Sequence, residues 1–362
     1  MASALGRGTE AQLAGTLAGV AAFAPVTRFD VAGHRVRVAA TLPDAGSLTD
    51  ELATAIDEAC GSAGLSGAHR AACPLVLAVH AFPNAPRVSA DRWRTATELA
   101  ELLAIRVGLG PVARVYTSAC VSASTALADA AALISSGRAD RIVVAGGYLV
   151  EPDQFALFDA GRALATDGAV RPFSTGRTGL LLGDAVAAVV LESATGGRRR
   201  TGSPLARLTG WGRAGDAFHA VQPHPQGQGL AKAIGAALRR ARIGPGALGY
   251  INAHGTGTPF SDAAEAAGLR QALGPAAAHV PLSSTKATHG HTLEASGLIE
   301  LGITVLAMRA GKLPVNAGFL AADEACPLNV VHAGPRSVNS EWALSVNAAF
   351  GGACTALVVR VT

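Results

Sequence analysis

Cys120, His254 and His291 are the side chains of this sequence best suited to covalent chemistry, and each sits among small residues that leave room for a substrate. A thiol can hold an acyl group, and two imidazoles can polarise a carbonyl, so the set suits chemistry on a thioester. Cys120 lies in Tyr116-Thr-Ser-Ala-Cys-Val-Ser-Ala-Ser124, where a strand runs into an Ala-rich helix. The positive end of a helix macrodipole favours thiolate there, and the same backbone offers an N–H to an oxyanion. The competing reading of a Cys between Ala and Ser is a small buried hydrophobe.

His254 follows the strand-like Gly249-Tyr-Ile-Asn-Ala, and Gly255 and Gly257 let the backbone turn while leaving space for a ligand. Thr256 and Thr258 place hydroxyls where an amide-containing ligand could be held. Lys286, one of three lysines, shares with His289 and His291 the loop into the next helix. A metal site on those two histidines finds no carboxylate or cysteine at ligand spacing, so no metal is assigned. Phe350-Gly351-Gly352 reads either as a plain turn or as a backbone N–H with an aromatic gate.

These residues need a scaffold, and the alternation of strand and helix signals over 362 residues predicts α/β architecture. Leu75–Val79, Val112–Tyr116, Ala185–Leu191 and a run from Arg141 closing at Gly146-Gly147 read as buried strands. Val121–Ser136 reads as a helix buried on most sides. Gly196–Pro204 is the clearest linker, which divides the chain into halves, 1–195 and 205–362. Beyond it the pattern restarts with a strand near Leu205, helices at Gly229–Ala241 and Leu293–Arg309, and strands at Leu248–Ile251, Trp342–Val346 and Thr355–Val361.

Composition narrows the function classes. The longest apolar stretches fall far short of the roughly 20 residues a spanning helix needs, so no membrane is expected. Residues 12–24 read as a first amphipathic helix rather than a leader. Five cysteines without C-x-x-C spacing read as free thiols in a cytoplasmic protein, with Cys60, Cys73 and Cys326 structural. A net charge of +4 without a basic, aromatic-studded stripe argues against nucleic acid.

The ordered set Thr117–Cys120, Arg171–Phe173 with Gly183-Asp184, Asp216–His219, His254–Thr258, Ser284–His291 and Phe350–Gly352 resembles the β-ketoacyl-acyl-carrier-protein synthases of the elongating Cys-His-His kind, in the thiolase superfamily. The resemblance implies a thiolase-like α-β-α-β-α layered fold of two pseudo-repeated halves. It implies no cofactor beyond substrates carried on the phosphopantetheine arm of acyl carrier protein. The partners implied are that carrier and a second subunit, in a homodimer or a heterodimer with a paralogous ketosynthase-like chain. Cys120 would take the acyl chain, and His254 and His291 would stabilise the enolate left by decarboxylation of a malonyl thioester. The amides of Cys120 and Phe350 would hold the tetrahedral oxyanion. Lys286 and Asp184 would form a supporting ion pair. Thr256, Thr258 and the Gly351-Gly352 turn would bind substrate, with Phe350 gating the acyl pocket.

Departures from the family pattern fall at Asp184 (usually Glu), Ser174 (usually Asp), Val221 (usually a hydroxyl residue), Ala348 (often Phe) and Cys354 (often Asn). The start, Met1-Ala-Ser-Ala-Leu-Gly6, falls just past the first strand of the family, which predicts a natural start further upstream. The short Leu48–Ala78 region predicts a remodelled cap over the acyl pocket, as in specialised polyketide or polyene pathways. Two alternatives stay open: a non-catalytic chain-length-factor-like partner, which would be expected to lack the nucleophile, and a thiolase-type acyltransferase with a second catalytic Cys.

Overall fold

The computed structural model describes residues 1–80, 95–194 and 203–362. Most of the expected linker, and the boundary between the expected halves, lie outside the described residues. Two sheets carry the fold. The first runs in the order Gly6–Arg7, Ala2–Ser3, Ala185–Glu192, Arg141–Tyr148, Leu75–Val79, Val112–Tyr116. The second runs Leu282–Ser283, Leu248–Asn252, Trp342–Ala348, Ala353–Val361, Ala206–Gly215.

The sheets repeat one plan. From Val112–Tyr116 inward, successive strands pair parallel, parallel, antiparallel and antiparallel, and the same sequence holds from Leu282–Ser283. Leu75–Val79, paired parallel on both sides, is an unbroken apolar run with every residue buried. Val112–Tyr116, expected to be buried as well, is the edge strand of its sheet, with Ala113 and Arg114 exposed and the rest half-buried. Ala2–Ser3 occupies the place that the ten-residue Ala206–Gly215 fills in the second sheet, pairing with Val186 and Ala185. A two-residue piece of a first strand is therefore present where the sequence reading placed none.

Helices complete five layers. Leu48–Ser62 and Ala96–Arg106 cover the outer face of the first sheet, and Gln228–Ala241, with Pro259–Leu273 packed on it, covers the outer face of the second. Between the sheets lie Ser122–Ser135 and Ser296–Arg309, packed on each other and on strands of both sheets. This is the expected thiolase-like α-β-α-β-α architecture. The stretch read as a remodelled cap contributes Leu48–Ser62 to the outer helical layer.

Three boundaries differ from the sequence reading for local reasons. The first helix is Gly8–Ala18 and stops at Gly19, whose φ of 66° is left-handed and closes the last turn. The strand from Arg141 passes through Gly146-Gly147 to Tyr148, because its full length pairs with Ala185–Glu192. The helix expected from Leu293 begins as a single tight turn, Leu293–Ala295, before Ser296. Among the described residues no helix is long and apolar enough to cross a membrane.

The two central helices touch backbone to backbone. A Cβ on Gly297 would stand 2.4 Å from the Ser124 nitrogen, and backbone cannot move aside as a side-chain tip can. Gly297→Ala is expected to cost about 2 kcal/mol, read from urea unfolding. An unchanged midpoint would mean that the helices separate freely.

Candidate active site

The site lies where the central helices begin. Ala119–Val121 forms one tight turn leading into Ser122–Ser135, and Ala119 has a φ of 49°, an uncommon conformation for a residue with a Cβ. That bend presents Cys120 at the helix entrance, where it is 6% exposed. His291 enters from the other half, on the segment before Ser296–Arg309. Its Nε2 lies 3.0 Å from the Cys120 Sγ, and its Nδ1 lies 3.2 Å from the Ser296 hydroxyl. The His254 ring meets the His291 ring edge to face, with centroids 5.5 Å apart. The three side chains singled out from the sequence thus converge on one point.

The thiolate expected from the helix dipole is not the resting state. Burial pushes the Cys120 thiol up to about 12, and the Glu294 carboxylate adds to the effect. Loss of hydration around a fully enclosed sulfur outweighs a helix-end potential worth about 1 kcal/mol. Both histidines are held well below the usual imidazole range, first by burial and then by the Lys286 charge. At neutral pH the site therefore holds a neutral thiol beside two neutral imidazoles.

Lys286 does not pair with Asp184, as the family resemblance implied. Its Nζ lies 2.5 Å from Glu300 Oε1, and Asn347 Nδ2 donates to Glu300 Oε2 at 2.7 Å. Asp184 instead forms a two-pronged pair with Arg28, at 2.6 and 3.2 Å, and accepts the backbone N–H groups of Leu42 and Val150. Its carboxylate, 0% exposed, is spent on pinning three chain segments, which leaves Lys286 to a closer acid.

The His254 turn is set by acids on the following helix. Glu265 accepts the N–H groups of His254 and Gly255, each at 2.7 Å, while Asp262 accepts those of Gly257 and Phe173. Burial, with the Asp262 charge second, pushes the Glu265 carboxyl up to about 8. A Cβ on Gly255 would stand 2.6 Å from Ser284 Cβ, so only glycine fits between the turn and the Lys286 segment. Thr256 and Thr258 face each other, with hydroxyls 2.9 Å apart.

Phe350 is half exposed and stacks on Phe158 at 5.8 Å, so an aromatic stands at the rim. The amides of Gly351 and Gly352, expected to bind substrate, are committed to the carbonyls of Ala220 and Ala349. Those glycines shape the turn, with φ near 80° at both, rather than offer donors. The Ser174 hydroxyl, in place of a family Asp, accepts the N–H of Leu320 at 2.8 Å and so ties down that loop.

Sequence reasoning passed over Glu300, Asn347, Glu265, Asp262 and Arg28. Glu300 did leave a signal, as the sole charge in the apolar run Ser296–Met308. Its buried pairing yields a direct check. Lys286→Met alone strands Glu300 and is expected to lower stability by about 3–5 kcal/mol, whereas Lys286→Met with Glu300→Leu recovers most of the loss. Thermal melts of both variants report this, and equal losses would mean that the pair is not the anchor. The raised thiol sets a second outcome. Iodoacetamide labelling of Cys120, followed by peptide mass, should rise about tenfold per pH unit from pH 7 to 9 without a plateau, since a group titrating near 12 is still gaining thiolate there. A plateau by pH 8 would contradict the buried neutral thiol.

Comparison with known proteins gives this geometry a setting. Residues 84–196 match the N-terminal domain of β-ketoacyl synthases, and residues 205–320 match the C-terminal domain. The 3-oxoacyl-[acyl-carrier-protein] synthase 2 of Staphylococcus aureus is 33% identical over 248 residues, 67% of this chain and 62% of that protein. The match thus spans a little under two thirds of that relative's length. Among solved structures, the ishigamide ketosynthase/chain length factor superimposes with a TM-score of 0.89 at 26% identity, covering 99% of this chain and 96% of that one. A β-ketoacyl synthase from Burkholderia phymatum STM815 gives 0.88 at 26% identity, covering 100% and 97%.

Proposed function

The chain belongs to the β-ketoacyl synthase family, and on that premise we propose that it is a 3-oxoacyl-[acyl-carrier-protein] synthase acting in fatty acid or polyketide synthesis. The observation that carries the reading is the 3.0 Å contact between Cys120 Sγ and His291 Nε2, with His254 beside them.

Acyl transfer comes first. A carrier-bound acyl thioester approaches the neutral thiol, His291 takes the proton as sulfur attacks, and the proton passes on to the leaving pantetheine sulfur. Imidazolium does not accumulate there, because burial first and then the Lys286 charge disfavour it. A malonyl thioester then replaces the departed carrier. Its carboxylate leaves as carbon dioxide while the bonding electrons move onto the thioester oxygen, and the two neutral imidazoles donate N–H groups to that oxygen. The enolate carbon attacks the acyl carbonyl on Cys120, the tetrahedral oxyanion rests on the amides of Cys120 and Phe350, and its collapse expels the Cys120 thiolate, which takes a proton from solvent to restore the neutral thiol. Lys286, held by Glu300, keeps both imidazoles neutral and so able to donate. The hydroxyls of Thr256 and Thr258 suit the amides of the pantetheine arm, and Phe350, half exposed and stacked on Phe158, would gate the acyl pocket.

The acyl carrier protein is the proposed partner, and a cytoplasmic dimer with a second copy or a paralogous subunit is the proposed assembly. The name of the ishigamide neighbour, which pairs a ketosynthase with a chain length factor, supports the paralogous alternative. The retained nucleophile and both histidines weigh against a non-catalytic partner. A thiolase reading would need a second cysteine at the site. Cys354 packs in a different apolar cluster from Cys120, with its sulfur toward the Gly352 carbonyl at 3.6 Å.

Incubation with acyl- and malonyl-carrier protein tests the proposal by acyl-enzyme mass, carbon dioxide release and β-ketoacyl product. Cys120→Ala is expected to abolish acyl loading, whereas His291→Ala leaves the thiol without its base and the enolate without a donor, so loading and decarboxylation both fall, each by about 100-fold or more. Undiminished loading in the Cys120 variant would remove the nucleophile from the mechanism.

A further inference from the structure

Around Cys120 lie three polar side chains that the condensation does not use: His80, Tyr148 and Glu294. The turn Leu293–Ala295 packs against Ala119–Val121 and against the strands Leu75–Val79 and Arg141–Tyr148, which delivers Glu294 beside the nucleophile. Leu293 holds a φ of 40° to make that delivery. Glu294 is 2% exposed; its Oε1 lies 2.7 Å from His80 Nδ1, while its Oε2 has no hydrogen-bond partner among the described residues. Tyr148 is also 2% exposed, belongs to the same apolar cluster as Cys120, and its hydroxyl has no partner among the described residues either. The rest of that cluster is hydrocarbon and aromatic, including Phe155, Phe158, Leu182 and Leu293.

Two buried polar atoms left open beside a nucleophile are costly against a plain hydrocarbon tail, and the cost disappears when a ligand group completes them. The open carboxylate oxygen can only accept a hydrogen bond, whereas the phenol can give or take one. An alcohol on the acyl chain matches both, since it donates to the first and exchanges a bond with the second. We propose that the acyl group loaded on Cys120 carries a hydroxyl, and that Tyr148 and Glu294 select it, with His80 holding the Glu294 carboxylate in register. The preferred substrate is then an oxygenated acyl thioester, one that a carbonyl-reducing or hydroxylating step must supply. This inference rests on the acyl-transfer reading above.

The test compares acylation of Cys120 by hexanoyl-pantetheine with acylation by a panel of its monohydroxylated isomers, covering each chain carbon. Intact-protein mass spectrometry follows the wild type, Tyr148→Phe and Glu294→Gln. At least one hydroxylated donor is expected to load about tenfold faster than hexanoyl in the wild type, the margin that one satisfied charged hydrogen bond supplies. Each substitution should bring that ratio toward one. The ratio compares two donors on one protein, so a variant with less folded material still reports it. Equal rates in the wild type, or a preference that survives both substitutions, overturns the inference while leaving acyl transfer intact. No acylation by any donor overturns the acyl-transfer reading itself, and this inference with it.

Discussion

The site depends on one buried ion pair. Lys286 and Glu300 are 1% and 0% exposed and 2.5 Å apart, at the junction of the central helical layer with the second sheet. At an effective dielectric near 20 their attraction is on the order of 7 kcal/mol, and desolvating two ions costs several kcal/mol each. The two nearly offset, so the pair contributes little net stability. Its value is geometric. Glu300 also binds Asn347, and its backbone carbonyl binds Asn252, so one helix turn ties together the strand leading to Phe350, the strand leading to His254 and the segment bearing His291.

That arrangement also explains the electrostatics. Burial first, and then the cation fixed beside them, disfavours a positive charge on either imidazole, so both remain neutral donors. The sulfur is just as firmly kept as a thiol. In the proposed reaction, proton transfer to His291, 3.0 Å from the sulfur, creates the nucleophile as the thioester is attacked. The acids behind His254 work at the backbone level, because Glu265 and Asp262 hold the turn by three of its N–H groups and tie it to Phe173 by a fourth, rather than by touching the ring.

Much of this was legible in the chain. Apolar runs such as Leu75–Val79 mark strands buried on both faces, and small residues from Ser122 to Ser135 mark a helix enclosed between sheets, because burial on all sides removes polar alternation. Cys120, His254 and His291 stood out because small neighbours left room around reactive side chains. What sequence did not disclose was partner choice. Asp184 and Glu300 are both single carboxylates in apolar surroundings, and only the fold decides which one reaches Lys286. The thiol differs from expectation for a related reason: a helix end is visible in sequence, whereas the enclosure that outweighs it is assembled from segments far apart in the chain.

The proposed chemistry requires one sulfur and two imidazoles to converge on a single thioester. A crystal structure of the enzyme after reaction with an α-bromoacyl-pantetheine probe would examine it most directly. The account predicts a covalent bond to the Cys120 sulfur alone, with the probe carbonyl oxygen within hydrogen-bond reach of Nε2 of both His254 and His291. Attachment at another cysteine, or a carbonyl turned away from both rings, would contradict it.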